Sequence, residues 1–319
     1  MSISKNFPSV LFTSLLLVLL SGCRTEPKEK QNSEAIPEAE KRPVVEVVTK
    51  SMEFYAPDTI PSGWNTFVYK NQSTEPHFIL FDKYPEGKRM SDALKEVIPP
   101  FDEGMELIMQ GKGDQSMEAF GKIPEWYSGV IQTGGTGMIA SGSTATCTVN
   151  LEPGYYVMEC YVKMPDGRFH ASMGMMKELV VLEKDSGLEA PEADISVSIS
   201  STEGITFTGI PAPGKNVFLV RFKDQIVHEH FMGHDVNLAL MEEGADLEAL
   251  EAWMNWATPT GLMSSTLPEG FTFLGGMNDA PEGSIHYFEA TLQPGTYVLI
   301  SEVPNTSDKG LLKTFTVTE

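Results

Sequence analysis

Cys160, His170 and Met175 lie close together in one run, Gly154-Tyr155-Tyr156-Val157-Met158-Glu159-Cys160, then nine residues, His170, four residues, Met175. Thiolate, imidazole and thioether are side chains that hold soft or borderline transition metals. Cys160 has a second chemistry open to it. If Thr144 to Leu151 and Tyr155 to Val162 form a hairpin around Pro153-Gly154, the register sets Cys147 opposite Cys160. In an oxidising compartment two facing cysteines can bond, and a Cys147–Cys160 disulfide would exclude a metal thiolate.

A second group of candidate ligands is His228-Glu229-His230 with His234, and His286 stands apart. A His-x-His pair puts two imidazoles on one side of a strand, which suits a metal site at His228, His230 and His234. The competing reading makes them exposed loop or packing histidines. Other chemistry finds little support. Gly134-Gly135-Thr136-Gly137 lacks the following helix and lysine of a phosphate loop and reads as a turn. No carboxylate pair stands out as acid and base, and no serine lies in a Gly-x-Ser-x-Gly setting. Trp253-Met254-Asn255-Trp256 reads as packing for a helix.

The elements that must position these residues occur twice. Thr133-Gly134-Gly135, Ser141-Gly142-Ser143 and Leu151-Glu152-Pro153-Gly154-Tyr155-Tyr156-Val157 recur 141 residues later as Leu274-Gly275-Gly276, Glu282-Gly283-Ser284 and Leu292-Gln293-Pro294-Gly295-Thr296-Tyr297-Val298. Gly174-Met175-Met176-Lys177 matches Gly310-Leu311-Leu312-Lys313, and His77 matches His234 with equal spacing to Gly87 and Gly244. Short β-prone runs are expected at 66–69, 78–81, 144–151, 155–162 and 179–182, and again at 216–222, 285–292, 297–302 and 314–318. Helical insertions are expected at 91–97 and 114–120 in the first half and 246–256 in the second, where Asp246 starts the helix. The reading is all-β: two tandem Greek-key β-sandwiches, 45–184 and 194–319, each with a short helical insertion, joined by a polar, Pro-containing linker at 185–193.

The Cys160…His170…Met175 loop, followed by a closing strand and preceded by His77, resembles that of the cupredoxin, or blue-copper, superfamily. The resemblance covers most of residues 45–184. It implies one copper held by His77, Cys160, His170 and Met175, and a role as a single-electron carrier. Two imidazoles and a thiolate give a trigonal plane, and a thioether supplies a weak axial ligand. The gap from Cys160 to His170 is longer than in the common small copper proteins, and a turn at Met164-Pro165-Asp166-Gly167 would loop out the excess. Met173 and Met176 are rivals for the axial position. In the second half Phe288 and Ser301 replace Cys147 and Cys160, Leu311 replaces Met175, and the loop from Ser301 to Gly310 keeps no histidine. That half reads as a degenerate copy. A multicopper oxidase is excluded, because its trinuclear cluster needs more than the 6 histidines present.

The amino terminus sets the location. Lys5 precedes an apolar stretch from Pro8 to Leu20, too short to span a bilayer well. It ends Leu20-Ser21-Gly22-Cys23, which resembles a bacterial lipobox and implies a signal peptide over 1–22 and acylation of Cys23. Residues 23–44 read as a flexible polar tether. The expected place is a membrane surface facing the periplasm or the cell exterior, on the outer membrane if the cell has two. A net charge of −21 argues against nucleic acid. The expected partners are the membrane, through its lipid anchor, and a redox protein. The expectation is therefore a copper-binding electron carrier rather than an enzyme. The alternatives are a metal-free binding or scaffold lipoprotein carrying the disulfide, and a copper storage or delivery protein.

Overall fold

The computed structural model describes residues 43–319; the expected signal peptide, Cys23 and most of the tether lie outside the described residues. Eight strands and three helices make the first half: β1 (Val44–Lys50), β2 (Glu53–Tyr55), β3 (Thr59–Asn71), β4 (Leu80–Lys83), α1 (Met90–Glu96), α2 (Ile98–Met109), α3 (Gly113–Phe120), β5 (Ile131–Gln132), β6 (Thr144–Leu151), β7 (Gly154–Glu159) and β8 (Met176–Asp185). The second half repeats the order with one helix: β9 (Ile195–Ser200), β10 (Gly204–Thr208), β11 (Gly214–Phe222), β12 (Val236–Met241), α4 (Leu247–Met254), β13 (Phe271–Met277), β14 (Ile285–Leu292), β15 (Gly295–Ile300) and β16 (Leu312–Val317).

Most of the pairing repeats with the order; β3 also pairs β8 in parallel at one edge, whereas β11 and β16 do not pair. In the first half β1 runs antiparallel to β2 and parallel to β3, β3 pairs β6, and β7 lies between β4 and β8. In the second half β9 runs antiparallel to β10 and parallel to β11, β11 pairs β14, and β15 lies between β12 and β16. Each half is thus a two-layer sandwich with apolar residues of both layers facing inward. In the first, Phe67 of β3 meets Phe81 of β4 across the layers, ring centroids 4.7 Å apart.

One expectation is overturned here. The runs flanking Pro153-Gly154 do not form a hairpin. β6 pairs β3 and β14, whereas β7 pairs β4 and β8, so Glu152-Pro153 carries the chain between layers. Both flanks bury one face against the same core, and alternation alone cannot separate such an arch from a hairpin. The Tyr156 hydroxyl donates to Glu152 O at 2.8 Å, and the Tyr297 hydroxyl to Gln293 O at 2.9 Å, so the same tyrosine ties each arch back. The arch removes the premise of the disulfide.

The halves join around a pseudo-twofold axis. β6 and β14 pair antiparallel with Cys147 opposite Phe288, its own counterpart 141 residues on. Thr136 bridges Met277, again its counterpart. Equivalent residues facing each other define an isologous contact, as in a twofold dimer. Around the second pair Gly134 N–H donates to Asp279 O at 2.6 Å and Gly275 N–H to Met138 O at 2.8 Å. The Gly134-Gly135 segment is therefore part of this seam rather than a free turn, and Gly275-Gly276 lie inside β13. Gly135 and Gly276 have φ of +144° and +145°. A Cβ at either would lie 1.9 Å from Ile79 O or 2.1 Å from Val236 O, so both positions require glycine.

The helical insertions cover the ligand loop. Phe101 of α2 packs on Phe120 of α3 (5.5 Å) and on Phe169 (6.2 Å), and Phe169 packs on Trp256 after α4 (5.7 Å). As expected, Asp246 caps α4: its Oδ1 accepts from the N–H of Glu248 at 3.0 Å and of Ala249 at 3.1 Å.

Candidate metal centre

Three segments of the chain converge on Cys160. The residue follows β7 directly and is fully buried. His77 lies ahead of β4, held by a two-way bridge with Ile139: its N–H donates to Ile139 O at 3.2 Å and its O accepts from Ile139 N at 2.8 Å. His170 opens a short 3-10 turn, Ala171–Met173, and its N–H donates to Val162 O at 2.8 Å. The long loop between Cys160 and His170 is folded out of the way as its turn residues predict. Lys163 bridges Phe169, Met164 N–H donates to Arg168 O at 2.8 Å, and Gly167 N–H donates to Met164 O at 2.9 Å. The excess residues thus form a tight excursion, and His170 returns beside Cys160.

The resulting geometry is compact. Cys160 Sγ lies 3.7 Å from His77 Nδ1 and 3.7 Å from His170 Nδ1, and the two Nδ1 atoms are 3.1 Å apart. A triangle with those sides has its centre about 2.0 Å from each corner, close to metal–nitrogen bonds of about 2.0–2.1 Å and metal–sulfur bonds of about 2.3 Å. Among the described residues this is the one group of three or more His, Cys, Asp or Glu side chains whose ligand atoms converge, within 4.8 Å. All three residues are fully buried.

The electrostatics suit a metal. Burial holds His77 down to about 4 and His170 down to about 3, the latter with help from the neighbouring His77. Both imidazoles are therefore neutral and have lone pairs to offer. Burial pushes the Cys160 thiol up to about 12, while backbone N–H groups of Phe78 and Val162 directed at sulfur oppose that rise. A bare thiolate is disfavoured in this interior, and a metal cation held by His77, Cys160 and His170 would supply the charge that favours it.

Met175 is also fully buried, and its N–H donates to His170 O at 3.0 Å. Its rivals differ: Met173 is exposed, and Met176 begins β8 as a partly buried residue. Cys147 and Cys160 are both free thiols, one on β6 and one in the triad. The expected alternative disulfide is therefore not formed.

Glu75 was not singled out by sequence. Its Oε2 lies 3.1 Å from His170 Nε2, outside hydrogen-bond alignment. Its place two residues before His77 is the only signal that could have marked it. Several buried carboxyls also escaped notice. Asp82, Glu159, Asp235, Asp279 and Glu302 are all buried, and burial raises each above the usual carboxylate range, Asp235 to about 6 and Glu159 to about 7. The Tyr161 hydroxyl donates to Glu302 Oε2 at 3.0 Å, joining the residue after Cys160 to its counterpart after Ser301.

The second histidine group is only partly assembled. His228 Nε2 and His234 Nε2 are 2.8 Å apart, but His230 turns away to Asn255 Oδ1 at 3.1 Å. The expected trio is thus a pair: His228-Glu229-His230 forms no strand but a short turn with His230 at φ +60°, so alternation does not apply. His286 is buried alone on β14 with neither ring nitrogen hydrogen-bonded.

No protein-family model matches the chain, and no curated protein matches it. Among solved structures the chain is similar to a dithionite-reduced auracyanin from the photosynthetic bacterium Roseiflexus castenholzii, at 23% identity over 43% of this chain and 94% of that one, with a TM-score of 0.26. It is similar to auracyanin A, a "blue" copper protein from the green thermophilic photosynthetic bacterium Chloroflexus aurantiacus, at 18% identity over 44% of this chain and 98% of that one, TM-score 0.27. A multicopper oxidase matches at 14% identity over 86% of this chain and 87% of that one, TM-score 0.20.

Proposed function

We propose that the protein is a membrane-tethered single-electron carrier holding one type 1 copper through His77, Cys160 and His170, with Met175 as axial ligand. The carrying observation is the buried triangle of one sulfur and two imidazole nitrogens. Tetrahedral sulfur-nitrogen sets also suit zinc, but one thiolate with two imidazoles and a buried methionine nearby is the blue-copper donor set. Copper in this set would supply a reversible one-electron couple.

The chain's own residues supply the rest. His77 and His170 stay neutral at working pH and need no proton removed before binding. The backbone groups that fix both histidines keep the triangle in place when charge changes, so little rearrangement opposes electron movement. Phe78 and Val162 N–H groups stabilise the sulfur's negative charge. Phe169, Phe101 and Trp256 pack over the loop. Acylated Cys23 and the tether would keep the carrier at a membrane surface, facing the periplasm or cell exterior, where a partner protein exchanges the electron.

The test adds Cu(II) to the fragment of residues 43–319 and records the visible spectrum. An intense thiolate-to-copper charge-transfer band is expected, absent in Cys160→Ser. A protein that binds copper without that band would be a store or delivery protein, and the carrier reading would fall.

A further inference from the structure

The second half has lost Cys160, His170 and Met175 but keeps His234 where the first half has His77. Register fixes the comparison: Lys70 pairs Thr144 and Arg221 pairs Ile285, and those partners are 141 apart. His77 comes seven residues after Lys70, whereas His234 comes thirteen after Arg221. The second half therefore carries an insertion in this loop, and the insertion brings His228 against His234.

Three features mark the pair as more than two stacked rings. The nitrogens meet head to head, Nε2 to Nε2 at 2.8 Å. The far nitrogen of His234 is already engaged: Nδ1 lies 3.3 Å from Asp224 O and 3.4 Å from Asp224 Oδ1. A carboxylate or carbonyl on one ring nitrogen fixes the tautomer and leaves the other with a free lone pair, as behind metal-bound histidines. Asp224 is itself held, accepting from Ser201 N–H at 2.8 Å and Ser201 Oγ at 2.7 Å. His234 is locked along its backbone by Gln225, whose Oε1 accepts from His234 N at 2.5 Å and whose Nε2 donates to His234 O at 3.0 Å. His228 N–H donates to Met232 O at 2.7 Å. Burial lowers the pKa of both imidazoles, which keeps them neutral.

We propose that His228 and His234, backed by Asp224, form a second metal site that takes a divalent copper ion in a tetragonal, non-blue setting. Two metal–nitrogen bonds of about 2.0 Å spanning 2.8 Å enclose about 90°, the angle between adjacent ligands of a tetragonal ion and well short of a linear pair. His228 is only partly buried, so the remaining positions open toward solvent for water or a small anion. With Ser301 in place of Cys160 this half has no thiolate, and the site has no source of blue colour.

Copper bound per chain after exhaustive desalting, with electron paramagnetic resonance of the loaded protein, tests the proposal. Wild type should hold two copper ions, one with the spectrum of an ordinary non-blue site. His228→Gln and His234→Gln should each hold one, with the charge-transfer band unchanged, which also reports that the fold is intact. Asp224→Asn should weaken the second site about 10- to 100-fold. His230→Gln should change nothing, because His230 faces Asn255. Cys160→Ser should keep the non-blue copper, so loss of the blue centre and loss of this site are separately visible. Equal copper content in wild type and His228→Gln, or a second copper that follows His230 instead, would overturn the assignment.

Discussion

Cys160 and Ser301 are the same position in two copies of one fold, and their surroundings are nearly the same. Backbone N–H groups of Phe78 and Val162 point at the Cys160 sulfur. Those of Asp235 and Val303 point at the Ser301 Oγ, at 3.5 and 3.4 Å. What differs is the third direction. Cys160 faces two neutral imidazoles, whereas Ser301 donates its hydrogen to Asp235 Oδ1 at 2.6 Å. Asp235 stands at the counterpart of Phe78, so one half lines this cradle with ligands and the other fills it with an internal hydrogen bond. A buried hydroxyl must find an acceptor, and Asp235 provides one. The scaffold that aims backbone donors at one atom is thus common to both halves, and side chains alone decide whether that atom meets a metal.

If the scaffold is truly shared, equivalent backbone changes must cost the same. Gly135→Ala and Gly276→Ala each drive a Cβ into a carbonyl oxygen at positive φ, and each should cost about 3 kcal/mol or more, from chemical denaturation. A large inequality would break the comparison. Metal should separate the halves where backbone does not. Copper at a hundredfold excess over the dissociation constant of the Cys160 site should stabilise wild type by about 2.7 kcal/mol through that site. Cys160→Ser should abolish the share of this stabilisation that tracks the blue band, while Ser301→Cys should add no blue band, because the second half offers that position neither His170 nor Met175.

His286 sharpens the comparison on the seam, where Ala145 is its counterpart. Its buried ring has no hydrogen-bond partner, so His286→Leu should gain about 1–3 kcal/mol. Burial holds its folded pKa down to about 4 against an ordinary 6.5. The unfolded chain therefore takes up the proton first as pH falls. Wild type should lose stability between pH 6.5 and 4, and the variant's advantage should widen across that window, as thermal melts at several pH values would record. The smallest effect belongs to Asn65 and Asn216. Asn65 Nδ2 donates to Pro61 O and Gly63 O at 2.9 and 3.1 Å, and Asn216 Nδ2 donates to Ala212 O and Gly214 O at 2.7 and 2.9 Å. Alanine at either should cost about 1 kcal/mol, equally in both halves.

The duplication, the paired halves and the three converging residues His77, Cys160 and His170 are legible in sequence because glycines and turns recur at fixed offsets and ligands must be specific atoms. The Met164–Gly167 turn is legible for the same reason. The arch at Pro153-Gly154 is not, because a strand's alternation says which face is buried but not which strand lies beside it. α2 is hidden by Pro99 and Pro100, which discourage a helix anywhere except its first turn, where they in fact sit. The burial of Asp235 and Asp82 is not legible, since nothing in a carboxylate's sequence context reports that it is enclosed. The His228–His234 pair depends on a loop insertion whose path no periodicity describes.

The central claim concerns which atoms surround the copper, and X-ray absorption at the copper edge measures that directly. For the His228→Gln protein loaded with one copper, the account predicts one sulfur and two nitrogen neighbours within about 2.0–2.3 Å. A shell of nitrogen and oxygen alone, with Cys160 still a free thiol, would contradict it.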